Sequence, residues 1–248
     1  MSTPQKAIND LHRSDLYLHF YGDSLTEERT AAECEYITHH CRMAPSSHIL
    51  DLACGHGRHA NWLARHGHRV SGVDMNSQFI AIAREEARTA GLDIEYIEGD
   101  ILNIGFEAIF DTVLLLFNTF GFFDKTDGRE LFRRIGKALK PGGRAFIDTR
   151  NRDQVLNHLV PCEVTEKGTD LMIDRISFDP VAGTTTNRRI YLKDGVRYDA
   201  PFTMYSYHYG DLAGMVEGSG MQIETVLGGW KQEDFDTRSR RIILILRK

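Results

Sequence analysis

From about residue 47 onward, short apolar runs alternate with patterns of helical period. The helical patterns place apolar residues three or four positions apart, as Leu131, Ile135 and Leu139 do. Strands that alternate with helices in this way form a parallel sheet with crossover helices on its faces. The pattern therefore predicts an α/β fold. Its first five strands are expected at residues 48–52, 69–74, 94–97, 111–117 and 144–148.

The pattern changes after about residue 160, because the next strands have no helices between them. Three strands are predicted at 170–178, 184–192 and 202–209. Asp194-Gly195 is a typical hairpin turn, so this segment is expected to be an antiparallel insert. One more helix is predicted at 211–218, and a final strand pair at 221–227 and 241–247.

These patterns suggest three regions. Residues 1–45 are expected to form an N-terminal helical cap, and 46–159 together with 210–248 the main domain. Residues 160–209 are expected to form the insert, as a substrate lid or as the contact of a homodimer.

Composition narrows the functional classes. The 248 residues include 30 Lys and Arg against 35 Asp and Glu, a net charge of −5 that disfavours a nucleic-acid partner. No apolar run approaches the ~18 residues of a membrane span, so no membrane partner is expected. The first twenty residues lack the basic and apolar regions of a secretion signal, which predicts a cytoplasmic location.

The cysteines and histidines suggest neither disulfides nor a metal site. The four cysteines have no Cys-x-x-Cys spacing, and without an export signal they are expected to be free thiols. Two groups of Cys and His occur within 34–48 and 54–68, but neither has the paired spacing of structural zinc. No metal is therefore predicted.

The loop after the first predicted strand carries the main functional signal. Gly55 and Gly57 lie between that strand and a helix, where glycines let a ligand approach the backbone. Such a loop alone would also suit a dinucleotide. Three carboxylates make the pattern more specific, because Asp51, Asp74 and Asp100 lie at the ends of three successive predicted strands. At the end of the second strand, the Asp74 carboxylate can accept hydrogen bonds from two ribose hydroxyls.

This constellation resembles the class I S-adenosylmethionine (SAM)-dependent methyltransferases, and within them a bacterial group that acts on small molecules. The resemblance extends from about residue 15 to the C-terminus. It implies a Rossmann-like fold with a seven-stranded mixed sheet of order 3-2-1-4-5-7-6, the last strand being antiparallel. The antiparallel insert would then precede the last helix and strand pair.

The resemblance also implies cofactor contacts. The loop 51–57 would surround the methionine part, Asp74 would hold the ribose and Asp100 would border the adenine. An N-terminal tyrosine would close over the cofactor, and Arg29 would pair with its carboxylate. The predicted cofactor-binding residues are Tyr17, Arg29, Asp51, Ala53, Gly55, Gly57, Asp74, Met75, Asp100, Ile101 and Leu116.

Methyl transfer from SAM is an in-line displacement that depends mainly on positioning, and it needs a general base only if the acceptor arrives protonated. Tyr21 and His208 are the catalytic candidates. The substrate candidates are Asn118, Asn151, Arg152 and Tyr207. Phe122 stands where related amino-sugar N-methyltransferases carry His, which argues against an amino-sugar acceptor.

The leading interpretation is an enzyme that moves a methyl group from SAM to an oxygen or nitrogen of a small molecule and releases S-adenosyl-L-homocysteine. Two alternatives remain open at this point. One is an NAD(P)-dependent oxidoreductase that uses the same glycine loop. The other is a SAM-binding module without catalytic activity.

Overall fold

The computed structural model describes residues 13–231 and 234–248. The predicted helical residues 1–12 lie outside this range. The helices are α1 Ser14–Tyr21, α2 Glu27–His40, α3 Arg58–Arg65, α4 Ser77–Thr89, α5 Lys125–Ala138, α6 Arg152–Asn157 and α7 Tyr209–Val216, with 3-10 turns at Gly22–Ser24, Ile101–Asn103 and Thr119–Phe122. The strands are β1 His48–Leu52, β2 Arg69–Asp74, β3 Ile94–Glu98, β4 Phe110–Leu115, β5 Leu139–Arg150, β6 Cys162–Lys167, β7 Asp170–Asp179, β8 Thr184–Lys193, β9 Val196–Tyr205, β10 Gln222–Leu227 and β11 Arg241–Arg247.

The larger sheet has seven strands in the order β10-β11-β5-β4-β1-β2-β3. The first five strands of the chain pair in parallel, whereas β11 is antiparallel to both of its neighbours. With the insert strands left out of the numbering, this is the order 3-2-1-4-5-7-6. The predicted fold class, a Rossmann-like mixed sheet flanked by helices, is confirmed.

Both faces of this sheet are buried, which explains the continuous apolar runs in its central strands. Val113 and Leu115 of β4 face α5 and α7, in a cluster that includes Leu131 and Leu212. Leu114 between them points to the other face and packs in the cluster of α2, α3 and α4. The carboxyl ends of the parallel strands therefore form one edge between two helical layers.

Asn76 is the N-terminal cap of α4, since its side-chain oxygen accepts hydrogen bonds from the backbone N–H groups of Gln78 and Phe79. The buried face of this helix includes Phe79, Ala83 and Ala87. The capping role matters for the site, because it leaves the carboxylate of the preceding Asp74 for other contacts.

The insert is a four-stranded antiparallel sheet of order β6-β7-β8-β9. One of its strands, β6, was not predicted, because its residues are mostly exposed and show no apolar alternation. The predicted strand 202–209 is wrong in its bounds. Asp194 and Gly195 both have positive φ and form a two-residue turn, so β9 begins at Val196, opposite Lys193.

Pro141-Gly142-Gly143 is a turn-forming sequence before the predicted strand 144–148, but in the structure it lies inside β5. Pairing with β4 shifts from Phe110 opposite Leu139 to Thr112 opposite Arg144, so the extra β5 residues form a bulge. Beyond this bulge β5 continues to Arg150, two residues past the predicted end.

Helix α1 connects the insert with the main sheet. Leu16 and Phe20 pack against Tyr191 and two other buried residues of the insert. On its opposite side, the Tyr17 ring lies 5.4 Å from that of Phe79 in α4. Within the described residues, no helix is long and apolar enough to cross a membrane.

Candidate active site

The two glycines of the loop between β1 and α3 have different surroundings. Both have positive φ, +56° at Gly55 and +82° at Gly57. A Cβ added at Gly55 would meet no atom within 4 Å, whereas one at Gly57 would clash with the Tyr96 hydroxyl and lie 2.9 Å from the Ala83 side chain. Gly55 therefore leaves its backbone open to a ligand, and Gly57 allows α3 to pack closely. Ala53, with φ of +54°, bends the chain away from β1.

Asp74, at the end of β2, supports this loop. Its Oδ2 accepts a hydrogen bond from the Gly55 N–H at 2.8 Å, and its Oδ1 accepts one from the Asn76 N–H at 2.8 Å. Burial raises the pKa of Asp74, while these backbone N–H groups act in the opposite direction. The Met75 N–H also acts on this carboxylate, and the two oxygens offer about four lone pairs, so acceptor capacity remains for a ligand. Met75, which follows, is half-buried.

Asp51, near the end of β1, carries a polar atom without a partner. The side chain is almost fully buried, and its Oδ2 has no hydrogen-bond partner among the described residues. Burial raises its pKa to about 7, Asp74 adds to this rise and Arg58 opposes it. An unpaired buried polar atom is unfavourable, so its presence here indicates a ligand that donates to it.

The loop after β3 contains a local cap and a core residue. The Asp100 carboxylate accepts a hydrogen bond from the Leu102 N–H at 2.9 Å and begins the 3-10 turn there. Ile101 is buried in the main apolar cluster. These contacts support the structure of the loop, and cofactor contact by the two residues stays a prediction.

The chain turns sharply after β4. Leu116 is buried, and the next two residues, Phe117 and Asn118, both have positive φ. The end of β5 holds this conformation, since the Phe117 N–H donates to the carboxylate of the fully buried Asp148 and the Arg150 N–H to the Asn118 amide oxygen. Strained backbone of this kind is concentrated at functional sites.

A buried ion cluster lies beside this turn and was not predicted, although the Arg29 to Glu33 spacing is that of a helical ion pair. Glu33 accepts from Arg29 at 2.9 Å and from Arg58 at 2.6 Å, and His59 Nε2 lies 3.1 Å from it. The Arg58 guanidinium also stacks over the Phe117 ring at 4.6 Å. The cluster joins α2 to α3 and positions Arg29 and Arg58 around the exposed ring.

We expect Glu33 to contribute stability that depends on pH. Burial opposes its ionisation, but the hydrogen bond of His59 and the charge of Arg58 prevail and lower its pKa to about 2. Because the folded-state pKa is below the unfolded value of about 4.5, the contribution is present above pH 4.5 and is lost as the pH falls toward 2. Chemical unfolding of Glu33→Gln should show a deficit at pH 7 that shrinks in acid. Glu35→Gln, on the same helix but exposed, is the control, and an equal deficit at both pH values would contradict the assignment.

The two N-terminal tyrosines lie together, with ring centroids 5.0 Å apart. Burial is the main cause that raises the pKa of both Tyr17 and Tyr21. Their hydroxyls are therefore neutral near pH 7 and suited to donate hydrogen bonds. The Arg189 guanidinium of the insert lies over the Tyr21 ring at 5.7 Å.

Several predicted catalytic and substrate residues have internal partners. Asn151 is fully buried and donates to the Ser239 carbonyl, and the buried Tyr207 donates to the Phe123 carbonyl. Arg152 lies within 4 Å of the Asp211 carboxylate. His208 Nδ1 accepts from the Asp211 N–H as the cap of α7. These contacts give the four residues structural roles and offer no support for their predicted contact with substrate.

The structure instead brings Arg150 to the site, a residue that the sequence reasoning missed. It is the last residue of β5, it is exposed, and its backbone is bonded to Asn118. The signal available in the sequence was its place at the carboxyl end of a parallel strand, where open α/β sheets bind ligands. The predicted strand ended two residues too early to show it.

Comparison with known proteins agrees with this geometry. Residues 49–143, which include β1 to β4 and the glycine loop, match a family model described as a methyltransferase domain. A cypemycin N-terminal methyltransferase from a Streptomyces species is 28% identical over 81% of this chain and 82% of its own length. A ubiquinone biosynthesis O-methyltransferase of Nitrosococcus oceani is 32% identical over 48% of this chain and 49% of its own.

A solved structure shows the same fold over nearly the whole chain. An S-adenosylmethionine-dependent methyltransferase from Clostridium acetobutylicum superposes with a TM-score of 0.83, covering 95% of this chain and 97% of that one at 17% identity. Sheet order, glycine loop and family match thus agree: residues 49–143 match the methyltransferase domain, and the chain has the fold of a SAM-dependent methyltransferase.

Proposed function

We propose that this protein binds SAM in the loop between β1 and α3 and transfers its methyl group to an oxygen or nitrogen atom of a small molecule by in-line displacement. The unpaired Asp51 Oδ2 beside the open face of Gly55 is the observation that carries the proposal. A buried acceptor without a partner, next to a loop with open space at Gly55, fits a ligand that carries a donor such as an ammonium group.

The residues at the strand ends fit the parts of this cofactor. Asp51 would accept from the ammonium of the methionine part, and Arg29 would offer its guanidinium to the carboxylate. Asp74 would accept from the ribose hydroxyls with the acceptor capacity that the backbone N–H groups of the loop leave unused. Bound SAM would supply a methyl group on a positively charged sulfur, which is reactive without a metal or redox partner.

This chain would contribute mainly by positioning the reactants and by setting the dielectric environment of the reaction site. The strained turn at Phe117 and Asn118 would form one wall of the reaction site, held by Asp148 and the end of β5. Tyr21 would act as a neutral donor or a shape determinant, because its raised pKa disfavours a role as base near pH 7. Positioning of this kind can supply ~7–11 kcal/mol of a displacement barrier.

We also propose that α1 and the insert act together as a lid. Phe20 of α1 packs against Tyr191 of β8, and Lys167 of β6 donates to the His19 carbonyl at 2.8 Å and pairs with Asp23. These contacts support a lid that carries Tyr17 and Tyr21 toward the site. Homodimer contact through the insert is the other prediction, and light scattering of the protein at several concentrations would distinguish a monomeric lid from it.

Asp74→Ala tests the cofactor assignment. We expect SAM binding to weaken by about 1–3 kcal/mol, because charge-assisted hydrogen bonds to the ribose disappear. Calorimetric titration with SAM, S-adenosyl-L-homocysteine and NAD measures this directly. Asp74→Asn keeps one acceptor oxygen and should lose less SAM affinity. Asp93→Ala, at an exposed position before β3, should bind SAM as the wild-type protein does.

The same titration separates the alternatives. NAD binding without SAM binding would overturn the proposal in favour of an oxidoreductase. SAM binding with no transfer of a labelled methyl group to any acceptor pool would favour a module without catalytic activity.

A further inference from the structure

Arg150 is an exposed guanidinium at the carboxyl end of β5, and no hydrogen bond or ion pair of its side chain is found among residues 13–231 and 234–248. Its surroundings are nevertheless crowded. Burial lowers its pKa, and the positive charges of Arg241 and Arg189 act in the same direction, whereas Tyr21 and Glu163 oppose them. In the sheet Arg150 pairs with Arg241 of β11, so this end of β5 places two arginines side by side, and Arg150 is the one open to solvent.

The two arginines whose charges act on Arg150 are themselves neutralised by carboxylates of the protein. Arg241 forms a bidentate pair with the fully buried Asp148, its Nε lying 2.6 Å from the carboxylate. Arg189 binds Asp174 through Nε at 2.6 Å and Nη2 at 2.8 Å. Each buried carboxylate is therefore committed to one arginine, and neither is available to the third.

Glu163 of β6 is the remaining acidic group that faces Arg150, but it is exposed and not within ion-pair distance of it. The two buried carboxylates, Asp148 and Asp174, are thus committed to Arg241 and Arg189, and Arg150 is left without an ion-pair partner among the described residues. Tyr21 adds a neutral hydroxyl near the same place. A guanidinium without an internal partner presents a fork of N–H donors that matches a carboxylate or a phosphate.

We propose that the methyl acceptor is an anionic small molecule whose carboxylate or phosphate group binds Arg150, next to the turn at Phe117 and Asn118. This inference rests on the proposed methyl transfer, and it specifies the class of acceptor. The link from the Arg150 N–H to the Asn118 amide oxygen, at 2.9 Å, joins the anion site to the wall of the reaction site. An acceptor held there would keep its reacting atom within reach of the cofactor pocket.

The test uses the full chain saturated with S-adenosyl-L-homocysteine. Benzoate and phenyl phosphate are titrated as probes and followed by thermal shift and calorimetry, with benzamide as the neutral counterpart. In a second arm, labelled methyl transfer is compared between 4-hydroxybenzoate, 4-aminobenzoate and 4-hydroxyphenyl phosphate and the amides of the two acids. Preference for benzoate or for phenyl phosphate distinguishes the two sources of negative charge.

We expect at least one anion to bind the wild-type protein and Arg150→Gln to bind it about 10- to 100-fold more weakly. Arg150→Lys keeps the charge but not the fork of N–H donors, so its anion affinity should lie between those of the wild-type protein and Arg150→Gln. Arg197→Gln, at an exposed position on β9 paired with Asp199, is the control and should bind the anion with wild-type affinity. S-adenosyl-L-homocysteine should bind all four proteins equally, which also shows that the variants are folded.

Two results would overturn the inference alone: equal anion binding by wild-type protein and Arg150→Gln, or preference of the wild-type protein for neutral probes. Failure of the wild-type protein to bind S-adenosyl-L-homocysteine would instead contradict the proposed function. The two failures are therefore distinguishable.

Discussion

Asp51→Asn is expected to stabilise the ligand-free protein at pH 8 and, at the same time, to weaken SAM binding by more than tenfold. The carboxylate is buried, and burial together with Asp74 raises its pKa to about 7, against the opposing charge of Arg58. The thiols of Cys34 and Cys54, which also face it, are buried and neutral because burial raises their pKa as well. An amide of the same shape avoids the burial of a charge but loses the acceptor for an ammonium group.

The direction of the pH dependence follows from the raised pKa. The folded state holds the proton of Asp51 more tightly than the unfolded state, whose carboxyl has a pKa of about 3.8. Its stability contribution is therefore complete below pH 3.8 and is lost as the pH rises through about 7. Asp51→Asn should match the wild-type protein near pH 4 and exceed it by about 2–4 kcal/mol at pH 8.

Urea unfolding at pH 4, 6 and 8 measures the stability effect. Calorimetry in buffers of different ionisation enthalpy measures the linked proton, because SAM binding to wild-type protein should release a proton near pH 6 and binding to the variant should not. Asp199→Asn, an exposed carboxylate of β9, is the control. A variant that is less stable than wild-type protein at pH 8, or that binds SAM normally, would contradict the role given to Asp51.

The second large effect separates the two glycines of the loop. Gly57→Ala should destabilise the fold by about 2–5 kcal/mol, since the new Cβ clashes with Tyr96 and the left-handed conformation disfavours any Cβ. Gly55→Ala should cost only about 1–2 kcal/mol from its conformation, because its Cβ enters open space. The same Cβ would occupy the approach to the backbone, so this variant should lose SAM affinity while remaining folded.

Thermal unfolding and SAM titration of both variants provide the comparison. Gly57→Ala in a Tyr96→Phe background, which removes the clashing hydroxyl, should recover part of the stability and serves as the matched control. Gly55→Ala in the same background should gain no stability, because its Cβ does not contact the Tyr96 hydroxyl. Equal stability of the two single variants, or unchanged SAM affinity of Gly55→Ala, would show that the loop glycines are interchangeable turn formers.

Much of the fold could be predicted from local patterns. Apolar runs of strand length between amphipathic helices were sufficient for the α/β class, and Asp194-Gly195 correctly placed a hairpin. Local patterns were less reliable where exposure removed the apolar signal, as in β6, and where a turn sequence was absorbed into a strand, as at the β5 bulge. The strand order came from the family resemblance, because the pairing of distant strands leaves no periodic trace in the sequence.

For the site, the sequence by itself determined that Asp51, Asp74 and the glycine loop meet at one edge, since the carboxyl ends of parallel strands share an edge. The tertiary structure alone decided which groups there are available to a ligand. Asp148 is committed to Arg241, 93 positions away, and Glu33 binds Arg58 of another helix, whereas Asp51 Oδ2 and Arg150 are left without partners among the described residues. The pairing of charges depends on side chains that are distant along the chain, and so it is decided only once the chain has folded.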